Sequence, residues 1–239
     1  MNTVQQYQYF EMMRQSRNAA IYQIFSMQGS NAGISEDPNP PEPPIDPKTL
    51  IKFKDGTSEY FDFSGEINRQ TLIEAGLYDE DSGQWEEISE ITFGKNVTSI
   101  GEDSFDGCES ITSLVFSDSV TTIGISSFYY CSELSSVKMG NGITTIESSA
   151  FVGCTKLTSL TMSNSIKTIG SDAFNSTGLT SLTIPNSIES IGNDVFIYCD
   201  VIQLTFEGKT RDDVTELNYE NWSLKEGSTI ICTDGIIEI

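Results

Sequence analysis

Histidine is missing from all 239 residues. Its absence removes Ser-His-Asp triads, Cys-His pairs and histidine-ligated metal centres together, and with them most hydrolase chemistry. Positive charge is scarce as well: 13 Lys and Arg stand against 35 Asp and Glu, a formal charge of -22. Coulomb repulsion makes phosphate backbones and anionic lipid poor partners for such a chain. No apolar run is long enough to read as a membrane span, so no membrane insertion is expected. The opening Met1-Asn2-Thr3-Val4-Gln5-Gln6-Tyr7 lacks a basic n-region, an apolar h-region and a small-residue cleavage site. Classical secretion of the chain as written is therefore not expected. Proline is confined almost wholly to residues 37–47, which hold six of the seven.

The charge is uneven. Residues 55–110 carry fifteen acids against Arg69 and Lys95, whereas residues 1–34 hold Arg14 and Arg17 against Glu11. The two ends are expected to contact different things.

What is present is a repeat, and a fixed period of this size decides a whole fold. Ile91-Thr-Phe93, Leu114-Val-Phe116, Val137-Lys-Met139, Leu160-Thr-Met162, Leu182-Thr-Ile184 and Leu204-Thr-Phe206 follow one another at spacings of 23, 23, 23, 22 and 22 residues. In step with the first five run Val97, Val120, Ile143, Ile166 and Ile188, then Ile100, Ile123, Ile146, Ile169 and Ile191, then Phe105, Phe128, Phe151, Phe174 and Phe196. The alternation in each Leu-x-Phe unit is that of a half-buried strand with its middle residue outward. One such unit cannot bury its own apolar face, but stacked units align like side chains into ladders through a continuous core. Gly101, Gly124 and Gly170 follow the Ile ladder, where the chain is expected to turn, and Glu147 breaks that pattern. Four of the five cysteines, Cys108, Cys131, Cys154 and Cys199, share one slot of the repeat. That placement reads as repeat architecture and free buried thiols, not as a disulfide framework or zinc site.

These residues closely resemble the BspA-like leucine-rich repeat, and Leu179-Thr-Ser-Leu-Thr-Ile-Pro-Asn-Ser-Ile-Glu-Ser-Ile-Gly192 is nearly its unit. The resemblance covers residues 88–206 and implies an α/β solenoid of about six coils. Residues 50–87 read as an N-terminal cap: Ile51-Lys-Phe53 and Tyr60-Phe-Asp-Phe63 form a hairpin through Asp55-Gly56, and Asn68 to Leu77 a short helix. Residues 207–239 are similar to the segment that closes such chains, with Trp222 in it and Cys232 on a buried strand outside the ladder. Residues 31–49 form a Pro-rich linker, extended and semi-rigid. Residues 1–30 hold a helix-compatible stretch with apolar stripes at Phe10, Met13, Ile21, Ile24 and Phe25. Held off by the spacer, that stripe is expected to bury itself on another protein as an anchor, the alternative being a loose tail.

Asp79 to Glu87 gathers five carboxylates but lacks the spacing of a calcium loop, and reads as a solvated acidic loop. Asn96, Asn175 and Asn221 head glycosylation sequons that a Ser/Thr-rich chain produces by chance. Along the strands, Thr92, Val115, Lys138, Thr161, Thr183 and Thr205 form an outward ladder. Tyr129, Tyr130 and Tyr198 fall between Phe and Cys, where Asp106-Gly107 and Val152-Gly153 stand in other coils. Exposed tyrosine on a rigid frame is a common binding anchor, and ordinary variation of a turn is the competing reading. The surface candidates are thus Tyr129, Tyr130, Tyr198, Lys138 and Thr161.

No catalytic, cofactor-binding or metal-binding residue is proposed. The resemblance implies a non-enzymatic display protein whose repeats bind protein or glycan. Repeats of this kind occur on microbial cell surfaces, usually with secretion signals, and in bacteriophage genomes. With no signal read here, the leading expectation is an adhesion module attached to a virion or another assembly surface through residues 1–30. The alternative is an intracellular, cytoplasmic scaffold binding one protein partner.

Overall fold

The computed structural model describes residues 48–239. It begins with the expected hairpin, β1 (Thr49–Phe53) against β2 (Ser58–Phe61), closed through Gly56 in the left-handed region. β3 (Gly65–Ile67) leads into α1 (Arg69–Glu74), whose N-cap Asn68 accepts from the Thr71 amide and leaves only Leu72 fully buried. A short ribbon, β4 (Tyr78–Asp79) with β5 (Gln84–Trp85), completes the N-terminal cap. Its loop is held by the Asp79 carboxylate, which accepts from the amides of Asp81 and Ser82. Among the described residues no cluster of His, Cys, Asp and Glu could hold a metal, and no helix is long and apolar enough to cross a membrane.

Each coil then has three sides. The first side is the front sheet: β6 (Ile88–Thr92), β8 (Ser113–Val115), β10 (Ser136–Lys138), β13 (Ser181–Ile184) and β15 (Gln203–Phe206). The second is a parallel sheet built from β7 (Val97–Ile100), β9 (Thr122–Ile123), β11 (Thr145–Ile146), β12 (Thr168–Ile169) and β14 (Ser190–Ile191), started by β3. The third side is not a strand. Its Phe and Cys turns are laddered from coil to coil by backbone bonds such as Phe105 N–H to Ser127 O and Phe128 N–H to Ala150 O, at 2.8 and 2.9 Å. The predicted period thus becomes a β-solenoid of about six turns.

The apolar slots converge as the sequence spacing requires. Phe105, Phe128, Phe151, Phe174 and Phe196 are at most 1% exposed and stack nearly parallel at 5.3, 5.5, 5.7 and 6.2 Å between centroids. Burying each ring contributes roughly 1.5–3 kcal/mol, with about 0.5–1.5 more for each stacked pair. All five cysteines are free and buried, as expected. The thiols of Cys131, Cys154 and Cys199 donate to the carbonyls of Phe105, Phe128 and Phe174 in the coil before, so the slot ties neighbouring coils together.

One feature refines the sequence reading and one differs from it. The glycines after the Ile ladder are not in the left-handed region; that conformation falls instead at Asp103, Ser126, Ser149, Asp172 and Asp194, two residues before each Phe. Gly124 is small for another reason: a Cβ there would lie 2.6 Å from the Ile100 carbonyl oxygen of the coil below. The front sheet, moreover, is not continuous. It is paired from β2 through β10 and again from β13 onward, while coil 4 joins only through one bridge, Lys138 to Thr161. The break adjoins the place where the repeat shortens from 23 to 22 residues. There the shortened connection at Gly178 runs so close that a Cβ would sit 2.5 Å from the Thr155 carbonyl.

The C-terminal end closes with α2 (Arg211–Glu216), started by a capping box between Thr210 and Asp213, and a 3-10 turn at Tyr219–Asn221. β16 (Thr229–Cys232) adds to β15 in parallel, and β17 (Gly235–Glu238) folds back on it antiparallel. Trp222 is fully buried, 5.7 Å from the Phe206 ring, and Cys232 lies on β16 outside the cysteine ladder, as its sequence position suggested.

Candidate functional site

On the third side of the coils, the residue just before the cysteine slot is held left-handed whatever its identity. Gly107, Tyr130, Gly153, Ser176 and Tyr198 all have φ between +53° and +74°. Any residue with a Cβ is disfavoured there, which explains glycine in two coils and makes tyrosine in two others conspicuous. A strained position occupied by a large side chain is a reason to suspect function.

Tyr130 is 53% exposed and Tyr198 81%. The Tyr130 ring lies over Gly153 of the next coil, where a Cβ would come within 2.9 Å of it. Tyr129, half-buried, meets Tyr130 edge-on with centroids 4.6 Å apart. Partial burial raises the Tyr129 phenol above its ordinary pKa, with further contributions from Tyr130 and from the carboxylates of Asp106 and Asp172. Tyr198 stands three coils away, roughly 15 Å at about 4.8 Å per coil. It is bare because the C-terminal cap supplies partners for Asp194 and Phe196, from Asn221 and Trp222, and none for the slot after.

Lys138 and Thr161 lie elsewhere, on the front sheet, where they are exposed and adjacent on the outward ladder. The five surface candidates therefore fall on two different sides of the coil: Tyr129 and Tyr130 are brought together on one, Lys138 and Thr161 on another, and Tyr198 stands apart. Phe10, Met13, Ile21, Ile24 and Phe25, named as anchor candidates, lie outside the described residues.

The structure adds residues that composition and spacing did not single out. Arg69 on α1 lies over the Tyr78 ring at 4.6 Å and the Trp85 ring at 5.0 Å, and its guanidinium is 3.8 Å from the Asp106 carboxylate. It also donates to the Asp103 carbonyl, while Trp85 Nε1 donates to the Asp106 carbonyl at 2.9 Å. In later coils such carbonyls accept from the preceding coil, as Tyr129 O does from the Gly107 amide. Arg69 and Trp85 thus close the first rung of the turn ladder, where no coil precedes. The only sequence signal for this was the isolation of Arg69 in an acidic stretch. Ile125 and Ile202 are further exposed apolar side chains, at 42% and 61%.

The class of protein these coils define is a leucine-rich-repeat solenoid with capped ends. The family model for the BspA type leucine rich repeat region matches six copies over residues 82–203, slightly more than half of the chain. The chain belongs to that family. Among curated proteins none matches it. Of solved structures, a leucine rich repeat protein of T. pallidum is 26% identical with a TM-score of 0.48, over 48% of this chain and 57% of that one. The pneumococcal vaccine antigen PcpA is 19% identical with a TM-score of 0.52, over 77% of this chain and 48% of that one, a likeness of fold. A leucine-rich repeat protein of Bacteroides ovatus is 20% identical with a TM-score of 0.43, over 69% and 47%. The chain spans about half the length of these structures.

Proposed function

We propose that this chain is a non-enzymatic display and adhesion module that offers protein or glycan contacts from its solenoid. The observation that carries the reading is the pair of exposed tyrosines, Tyr130 and Tyr198, kept at left-handed turn positions where other coils use glycine or serine. Rigid aromatic side chains lose little entropy on binding and supply large contact area. Membership of a repeat family found on microbial surfaces, and the fold shared with a pneumococcal antigen, support a surface setting.

In this reading residues 1–30 attach the chain to a larger assembly, such as a virion or a cell surface, and residues 31–49 space it from the cap and repeats at 50–87, 88–206 and 207–239. Phe10, Met13, Ile21, Ile24 and Phe25 fill a groove on that assembly, each contributing about 1.5–3 kcal/mol when buried. A second reading, an intracellular scaffold for one protein partner, is favoured by the five unpaired thiols.

Co-sedimentation with the assembly, comparing the full chain with one lacking residues 1–30, tests the attachment. The truncated chain is expected to melt with the full one and to lose attachment. Normal assembly of the truncated chain, or early unfolding, would overturn the anchor. Display itself is tested by presenting the immobilised full chain to glycan and protein arrays, where no reproducible ligand on any side of the solenoid would sink the reading.

A further inference from the structure

We propose that the Tyr129–Tyr130 pair is a docking site for the cationic side chain of an arginine-bearing protein segment. The inference rests on the display reading and names the chemistry of the partner at this site.

The molecule builds such an arrangement once for itself. At the start of the turn ladder a guanidinium, that of Arg69, lies against two aromatic faces, Tyr78 and Trp85, with the Asp106 carboxylate beside it. One coil further on, Tyr129 takes the slot of Asp106 and Tyr130 that of Gly107. Here again are two aromatic rings in contact, within the field of Asp106 and Asp172. The Tyr130 hydroxyphenyl ring is braced on Gly153 and remains half exposed, so one part of it rests on the frame and another part faces outward. A cation over an aromatic face is attracted by the ring quadrupole, and guanidinium adds planar stacking that ammonium lacks.

Charge selects the occupant. The chain carries -22, and the charges that act on Tyr129 are carboxylates. Electrostatic complementarity then favours a basic segment and speeds its encounter. A neutral sugar would gain the ring contact but none of that attraction. Tyr60, exposed to nearly the same degree on β2 of the hairpin, is not one of the display tyrosines and so serves as an internal control for ring exposure.

The repeat also supplies the test variant. Tyr130→Gly restores the residue that coils 1 and 3 carry at this slot, removes a non-glycine residue from φ +53° and leaves the ladder bonds in place. The full chain is titrated with a tetra-arginine peptide, a tetra-lysine peptide and a Gly-Ser peptide, all end-blocked, at low and high salt. Melting curves are recorded alongside. Arginine is expected to bind tighter than lysine, and Tyr130→Gly to weaken the arginine peptide about two- to fivefold with an unchanged melting curve. Part of that loss persists at high salt, while Tyr60→Ser leaves affinity unaltered.

Equal effects of the two substitutions, or an effect of Tyr130→Gly that disappears at high salt, would show general attraction to an acidic surface and overturn the site. A neutral oligosaccharide that displaces the peptide from Tyr130, and binds more weakly to Tyr130→Gly, would reassign the site to glycan. Either result leaves the display reading to its own array test.

Discussion

Between Phe105 and Phe128, in the coils of 23 residues, the stacked rings stand 5.3 Å apart; between Phe174 and Phe196, where the repeat has 22, they stand 6.2 Å apart. A contrast also runs through the front sheet and the cysteine slot. The front sheet is paired through coil 3, touches coil 4 at one bridge and resumes at coil 5. In the cysteine slot, Cys131, Cys154 and Cys199 reach back to the previous coil, whereas Thr177, which fills that slot in coil 4, donates to Phe174 O of its own coil at 2.9 Å. The shortening at coil 4 is therefore absorbed locally: the Thr177 turn is tied to itself, the front strand keeps its register but only one bridge, and the second sheet carries on with Thr145, Thr168 and Ser190 still in line. A solenoid tolerates this because each coil leans only on its neighbours.

The largest expected effect comes from the phenylalanine ladder. Phe151→Ala removes a fully buried ring stacked on both sides, at 5.5 and 5.7 Å, and should cost about 3–5 kcal/mol. Phe196→Ala loses one stacked neighbour of the ladder, at the looser spacing, and should cost less. Urea unfolding of both variants checks the order, and equal losses would mean that the two sets of coils are packed alike after all.

The thiols sharpen the same comparison. Burial pushes Cys108 and Cys154 up to about 12 from an ordinary 9.0. Cys108, Cys131 and Cys154 are 0% exposed, whereas Cys199, in the shorter coil, is 9% and Cys232 8%. Maleimide should label Cys199 and Cys232 first in the native protein, leaving the other three for denaturant; rapid native labelling of Cys131 or Cys154 would show that the tight coils open readily. Because the folded state holds these protons more tightly, the stability they support is complete below about pH 9 and falls as pH rises toward 12. A melting temperature flat across that window would contradict the burial.

The smallest effect is a gain. Ser104 satisfies its hydroxyl on the carbonyls of Ile67 and Gly101, but Ser127, at the same slot one coil later, is fully buried with no partner for its oxygen. Coils 3 and 4 carry Ala150 and Ala173 there. Ser127→Ala should raise stability by about 1 kcal/mol, by relieving an unsatisfied buried hydroxyl. A loss in the urea midpoint would mean that the serine is held by something the apolar slot does not supply.

Much of the fold was legible because a solenoid core is written in sequence order. Each coil buries the same slots against its neighbours, so the spacing of Leu114, Ile123 and Phe128 states at once which residues meet their counterparts 23 positions on. The hairpin at Ile51 and Tyr60, the helix after Asn68 and the strand at Cys232 were legible for a similar reason, being local in sequence. The candidate site was legible only in part. Tyr129 and Tyr130 could be named as departures from the repeat, but Lys138 and Thr161 were drawn together with them although they face another side of the coil.

By itself, then, the sequence determined the period, the buried ladders, the free thiols and the acidic charge, because each is a property of single residues or of a fixed interval. Only the tertiary structure decided where the left-handed turns fall, that Gly124 and Gly178 are small because backbone passes over them, and that the front sheet parts at coil 4. It alone set Arg69 between Tyr78, Trp85 and Asp106, residues up to 37 positions apart. Those outcomes depend on the distance between backbones in adjacent coils and on what the cap brings to the first rung, and neither quantity is carried by an interval in the chain.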